Sequence, residues 1–393
     1  MNMIITEVSS QQQKLRHRKM LGSLIIAIII ICITAIGSVL LGYFLYQQPK
    51  QTQYQQMMSV GQSELCYGPL AFMHEQGTRI HWCTKEKVES QLVGYPSSAN
   101  TKSHYHSTFV NSTNFNYSLP GSDVQYSYYL PETIKNFVVM TDTHGNPKYT
   151  NLLNEIDFDF MFHNGDMCEN GDLSELEVGF ANWPVKPMLF ATGNHDYNFN
   201  KFNHVVERPL HYYQQIRNIG VFVIYTLNNE DKDAFSFLND NAHLAEDSDH
   251  VFIVTHNPTY ATGGHGAISK LSKKMEKFLD THSYLNFRSV FSGHNHVFTA
   301  FKRNDLFYFV NGVGGGHLND VYSKQKMGAR VWKTEELHGP LEEVDDQSYG
   351  YQYHLDSYSK YTRTEVSFEG NKIRYVIRDL DTNTILRTYE QTF

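Results

Sequence analysis

A chain of 393 residues with 41% hydrophobic and 19% charged side chains can bury one large core or two smaller ones, which excludes an intrinsically disordered protein. Its formal net charge of -8 excludes a whole-chain basic footprint for nucleic acid. The 20 His residues raise the question of a metal.

In chain order, the first element is apolar. No charged residue occurs from Met20 to Pro49, and Leu24 to Leu45 is rich in Ile and Leu, long enough to cross a hydrocarbon core of about 30 Å as a helix. We read residues 21–46 as a membrane span; the alternative, a cleaved signal peptide, has an apolar region of only about 7–15 residues. Lys14, Arg16, Arg18 and Lys19 crowd the near side, whereas Lys50 stands alone on the far side until Arg79. The positive-inside rule then makes residues 1–20 a cytoplasmic tail and places the chain beyond residue 50 outside the cytoplasm, as expected of a single-pass membrane protein.

Residues 47–133 are rich in Gln, Ser, Asn and Tyr and read as a juxtamembrane tether and packing region. Within it Cys66 and Cys83 either pair in an oxidising compartment or stand as two free thiols. Asn111 and Asn116 fit the glycosylation sequon, which matters only in a eukaryotic host.

From residue 134 the texture changes. NFVVM (136–140), FDFMF (158–162), PMLFA (187–191), HVFIV (250–254) and FRSVF (287–291) are apolar runs of strand length bounded by turn signals. Asn203–Arg217 and Ile268–Leu279 are helical candidates between them, so residues 134–317 read as an α/β domain. In residues 318–393 the alternation in YTRTEVSFEG and KIRYVIRDL predicts a β-rich extension with a hairpin capping the core.

Every one of the five runs ends in metal-ligand chemistry. Asp142 and His144 follow the first, Asp166 the second, Asn194, His195 and Asp196 the third, His256 the fourth, and His294 and His296 the fifth. Ligands of α/β sheets bind beyond the carboxyl ends of strands, so these endings are expected to converge. Four His, two Asp and one Asn, with no Cys, suit Mn, Zn or Fe. That is too many ligands for one tetrahedral ion and suits two divalent ions about 3.5–4 Å apart sharing a carboxylate. Asp142 and His144, and likewise His294 and His296, face one crevice only if the chain leaves strand geometry there. Gly165, Gly193 and Gly293 allow sharp turns at the strand ends.

The ordered set D-x-H (142–144), G-D (165–166), G-N-H-D (193–196), His256 and G-H-x-H (293–296) resembles the calcineurin-like metallophosphoesterase superfamily, over roughly residues 134–317. The resemblance implies a sandwich of two mixed β-sheets flanked by helices. It implies one metal on Asp142, His144, Asp166 and His296, and a second on Asp166, Asn194, His256 and His294, with Asp166 bridging. His195 would contact the phosphate or protonate the leaving oxygen, and Asp196 would orient it. The stretches VTHNPTYATGGHG (254–266), SGHNHVFTA (292–300) and YFVNGVGGG (308–316) look like the second half of purple acid phosphatases, which makes His265 a substrate-facing residue. Two departures stand out: Glu169 occupies the place of the tyrosine ligand of that group, and His144 stands where that group often lacks a His.

The implied activity is hydrolysis of a phosphomonoester or phosphodiester by a metal-bridged hydroxide, with the ions and Asn194 offsetting charge on the phosphoryl oxygens and His195 serving the leaving group. The competing reading is a catalytically inactive metal-binding, or a structural or adhesion, ectodomain of the same fold. Cys168 reads as a packed thiol, His163 as a core histidine or one supporting a ligand, and His317 as part of a pocket rim.

Overall fold

The computed structural model describes residues 65–95, 103–119, 124–170, 173–181, 183–197, 208–226, 231–322 and 349–393. Among these no helix is long and apolar enough to cross a membrane, and the span expected over 21–46, with its tail, lies outside them.

The first described strands are β1 (Leu65–His74), β2 (Gly77–Val88) and β3 (Ser103–Val110), an antiparallel meander. A small hairpin, β4 (Asn114–Ser118) and β5 (Gln125–Tyr129), precedes three parallel strands, β6 (Asn136–Met140), β7 (Phe160–His163) and β8 (Pro187–Phe190). Then come β9 (Tyr212–Ile216), β10 (Ile219–Ile224), β11 (His250–Thr255), β12 (Phe287–Ser292), β13 (Phe298–Arg303), β14 (Leu306–Asn311) and β15 (His354–Tyr358). The last three strands are β16 (Thr362–Glu369), β17 (Lys372–Asp379) and β18 (Ile385–Thr392).

Two large mixed sheets result. One runs β18-β17-β16-β6-β7-β8-β1-β2-β3, the other β15-β13-β14-β12-β11-β10-β9. The parallel strands at their centres are apolar on both faces, as sheets covered on both sides require: β7, β8, β10 and β11 are buried at every position. Between the sheets Phe137 and Phe162 meet Phe252 and Phe291, Phe137 edge-on to Phe252 at 5.3 Å between ring centroids. Behind the first sheet lies a second cluster with Tyr149, Phe180 and Trp183, the Phe belonging to helix α1 (Leu173–Phe180). One turn of helix, α2, spans Asn194–Tyr197. Helices α3 (Asp231–Asn241) and α4 (Ser269–Thr281) press Phe235, Leu238, Met275 and Phe278 behind the second sheet.

Three expectations change. Within the expected helix Asn203–Arg217, Tyr212–Ile216 is strand β9, antiparallel to β10, and residues 203–207 lie outside the described set. Its side chains are buried except Gln215, an aromatic-rich stretch that fits a pleated surface better than a helix. Residues 65–110 are more than packing: β1 pairs in parallel with β8, aligning Ala71 with Pro187 and Phe72 with Met188. Gly68 and Pro69 interrupt its apolar run and hide the strand from a periodicity reading. The C-terminal hairpin β16–β17 does not cap the core but continues the first sheet, Thr364 of β16 lying opposite Val139 of β6. Cys66 and Cys83 form a disulfide joining β1 to β2.

Candidate metal centre

Strands β6, β7 and β8 of one sheet and β11 and β12 of the other deliver their carboxyl ends to the same edge of the sandwich. The departure from strand geometry is visible in the backbone. Asp142, His144, Asp166 and His294 adopt φ of 50, 48, 52 and 68°, the left-handed region that only Gly enters freely and that Asp and His tolerate better than most residues. Four strained residues at one place mark a site held by its surroundings. Those surroundings include backbone bonds from the Asp142 N–H to the Gly165 carbonyl (2.9 Å), from the His144 N–H to the Asp166 carbonyl (3.1 Å) and from the Gly293 N–H to the His256 carbonyl (2.9 Å).

Of the three glycines expected to permit sharp turns, only Gly165 needs that freedom, at φ +98°. Gly193 and Gly293 permit close approach instead: a Cβ on Gly193 would stand 2.1 Å from Asp166 Oδ1, and one on Gly293 2.0 Å from Thr141 Oγ1.

The predicted ligands fall into two groups. Asp142, His144, Asp166 and His296 make one, and Asp166, His256 and His294 the other, each with its ligand atoms within 4.8 Å of one another. Asp166 belongs to both. His256 Nε2 lies 3.1 Å from Asp166 Oδ2, and His296 Nε2 lies 3.4 Å from Asp142 Oδ1. Asn194 joins the second group through Oδ1, 3.1 Å from His256 Nε2 and 2.9 Å from His294 Nδ1. All seven predicted ligands thus meet at one place.

Their supports come from outside the motifs. His256 Nδ1 is 2.8 Å from the Asn164 carbonyl and His296 Nδ1 2.5 Å from that of His317, contacts that aim the opposite ring nitrogen at the carboxylates. Thr141 Oγ1 donates to Asp142 Oδ2 at 2.7 Å, and the His294 N–H reaches the same oxygen at 3.0 Å. Burial opposes charge on all these groups, and the pairs offset it. Although burial pushes the other way, the Asp166 carboxylate raises the His256 imidazolium to about 9, and His296, with His256 and His144, holds Asp142 well below the usual carboxylate range. Burial, with His256 and His265 beside it, keeps His294 neutral.

The donor set fits a divalent cation. His144 Nε2 and His296 Nε2 face each other at 3.2 Å, while His144 Nδ1 meets the Glu169 carboxylate and His296 Nδ1 the His317 carbonyl. With protons on the two Nδ1 atoms, both Nε2 lone pairs point at one another beside the buried Asp142 carboxylate, a repulsion that a cation relieves.

His195 sits at the rim, its ring 4.8 Å from that of His144, its N–H donating to Asp166 Oδ1 at 2.9 Å and its Nδ1 2.6 Å from the Glu169 carbonyl. The expected orientation of His195 by Asp196 is corrected. The Asp196 carboxylate is fully buried and accepts the backbone N–H groups of Asp166 (2.7 Å), Met167 (3.0 Å) and Gly193 (2.9 Å). As the third residue of the α2 turn it points back beneath the β7 loop, so it holds the backbone that carries Asp166.

His265 faces the site, its ring centroid 4.7 Å from that of His294. Cys168 is a packed thiol donating to Asp196 Oδ1 at 3.4 Å, and burial followed by the Asp196 charge pushes it far up. His163 is a core residue, stacked on Phe190 at 5.6 Å, and burial drives it down to about 3. Sequence reasoning missed the support given by the Asn164 and His317 carbonyls, because a main-chain partner leaves no residue pattern. Glu169 was visible only as a departure from a motif.

Residues 135–298 match the family described as calcineurin-like phosphoesterase. No curated protein sequence matches the chain. Among solved structures, a purple acid phosphatase isolated from yellow lupin (Lupinus luteus) seeds aligns with a TM-score of 0.54 at 11% identity, covering 82% of this chain and 74% of that one. PhoD aligns with a TM-score of 0.49 at 9% identity, covering 84% and 88%. GAP50, the anchor in the inner membrane complex of Plasmodium, aligns with a TM-score of 0.47 at 12% identity, covering 66% and 90%. The likeness to the lupin protein is one of fold. The family match covers residues 135–298, the segment that carries the ligand groups at the strand ends, and it marks that segment as similar to a calcineurin-like phosphoesterase domain.

Proposed function

We propose that this chain is a membrane-anchored phosphoesterase that hydrolyses a phosphomonoester or phosphodiester with two divalent metal ions. The observation that carries the reading is Asp166, the single carboxylate common to both groups of ligand atoms. Asp142, His144, Asp166 and His296 would hold one ion, and Asp166, Asn194, His256 and His294 the other. Two divalent ions held there would supply an activated water for attack on phosphorus and would offset the charge of the phosphoryl oxygens.

The protein's own part is placement. Asp196 and the left-handed turns at 142, 144, 166 and 294 fix the ligands before substrate arrives. With its Nδ1 on the Glu169 carbonyl, His195 presents Nε2 to the leaving oxygen and delivers a proton to it. Asn194 and His265 bind the phosphate.

The purified protein should contain bound divalent metal, lose hydrolysis of a phosphomonoester or phosphodiester on chelation and regain it with Mn, Zn or Fe. Full metal occupancy with no turnover of either ester class would favour the inactive ectodomain. The placement outside the cytoplasm draws support from the Cys66–Cys83 disulfide, which persists in oxidising compartments, and from the charge asymmetry around 21–46. A reporter fused after Phe393 should lie outside the cytoplasm; a cytoplasmic signal refutes the orientation.

A further inference from the structure

We infer that Asn295, the residue between the two histidines of G-H-x-H, is a positioning residue that fixes His265 against the metal centre. The role of His265 toward phosphate rests on the reading above; the clamp itself is a matter of geometry.

Asn295 is fully buried. Its Oδ1 accepts the His265 N–H at 2.9 Å, and its Nδ2 donates to the Gly266 carbonyl at 2.9 Å. One amide therefore grips both ends of the His265–Gly266 dipeptide. The turn it grips is tight: the Gly266 N–H returns to the Gly263 carbonyl at 3.1 Å, and Gly266 has φ +70°. The fit leaves no slack, because a Cβ on Gly263 would stand 2.6 Å from Asn295 Oδ1.

The consequence is that His265, from a loop about 30 residues earlier in the chain, is tied to the same backbone segment that carries His294 and His296. Its ring rests 4.7 Å from His294 and 6.2 Å from His296 between centroids. The turn contains Gly263, Gly264 and Gly266, and glycine-rich backbone orders at a high entropic cost, which the two bonds from Asn295 help to offset. Only a side chain with an acceptor and a donor on one planar group bridges an N–H and a C=O this way, which explains an amide at this position.

The test uses the full-length, metal-loaded protein with inorganic phosphate as the probe. Asn295→Leu keeps the volume and removes both hydrogen bonds. It should weaken phosphate binding by the same factor as His265→Ala, roughly ten- to hundredfold for a hydrogen bond to a charged group. The double variant should bind no more weakly than His265→Ala, metal content should stay at the wild-type level, and amide exchange at His265 should accelerate. Additive losses, or loss of metal, would show that Asn295 acts on the ligand histidines and overturn the inference, as would unchanged amide exchange. If Asn295→Leu does not fold, Gly263→Ala displaces the same turn and is read identically. Absence of any phosphoester turnover in the wild-type protein would count against the phosphoesterase reading and leave the exchange result to decide the clamp.

Discussion

His256 Nε2, at the end of a strand in one sheet, stands 3.1 Å from Asp166 Oδ2, at the end of a strand in the other. This contact closes the site across the sandwich, and Asp166 also lies 3.8 Å from His144 Nε2 on its own sheet. Replacing Asp166 with Ala removes the one group that serves both sets of ligand atoms. Metal and turnover should fall together, whereas His195→Ala should keep metal and lose about 10²–10⁴-fold in turnover, the usual weight of acid–base catalysis. Metal analysis beside kinetics distinguishes the two, and equal metal loss in both variants would refute the division of roles.

Asp196→Asn tests the corrected role of that carboxylate. Its oxygens accept several backbone N–H groups around Asp166, and an amide would turn an NH₂ group toward some of these donors. We expect a loss of stability of about 2–4 kcal/mol, read by denaturant unfolding, together with weaker metal binding. A variant of unchanged stability whose only defect is the pH profile of turnover would restore the view that Asp196 serves His195.

Gly193→Ala should abolish metal binding while leaving the sheets intact. The added Cβ, 2.1 Å from Asp166 Oδ1, must displace that carboxylate or the strand end that holds it. Circular dichroism should stay near wild type as metal content drops. A variant that binds metal normally would show that the β8 turn yields more easily than its packing indicates.

The metal-loaded protein should be colourless. Where purple acid phosphatases carry a tyrosine ligand this chain has Glu169, whose carboxylate meets His144 Nδ1, so His144 completes the ligand group that a phenolate would otherwise join. The metal there should be Mn, Zn or ferrous iron. A tyrosinate-to-iron absorption band in the purified protein would reveal a ligand outside the assigned set.

Acid should destabilise the fold through His81. The ring is buried against Tyr67, and burial, then His106 and Arg79, lowers it to about 3. It stays neutral in the folded chain while the unfolded chain takes up a proton near its ordinary value of about 6.5, so stability is lost as pH falls from there toward 3. His81→Phe should remove up to a few kcal/mol of that pH dependence, measured as the difference from wild type between pH 7 and pH 4. Parallel pH profiles for the two proteins would show that His81 is not a source of acid sensitivity.

What the sequence determined by itself is local. A strand followed within a few residues by Asp, His or Asn is a short-range pattern, and so the runs at 136–140 and 250–254 and the seven side chains that gather at the strand ends were legible, as was most of helix α4, expected over 268–279 and found over Ser269–Thr281. Position after a strand end constrains where a side chain emerges, and the α/β rule then brings the ends together. What only the tertiary structure decided depends on partners distant in the chain. β1 became a central strand because β8, more than a hundred residues later, offers its free edge. Asp196 faces backbone N–H groups 29 and 30 residues away rather than its neighbour His195, and Asn295 holds a turn 29 to 30 residues before it. A main-chain donor or acceptor is the same at every residue, so the sequence carries no sign of which one a buried carboxylate or amide will find; packing decides, because each buried polar group must find a partner where the fold leaves one.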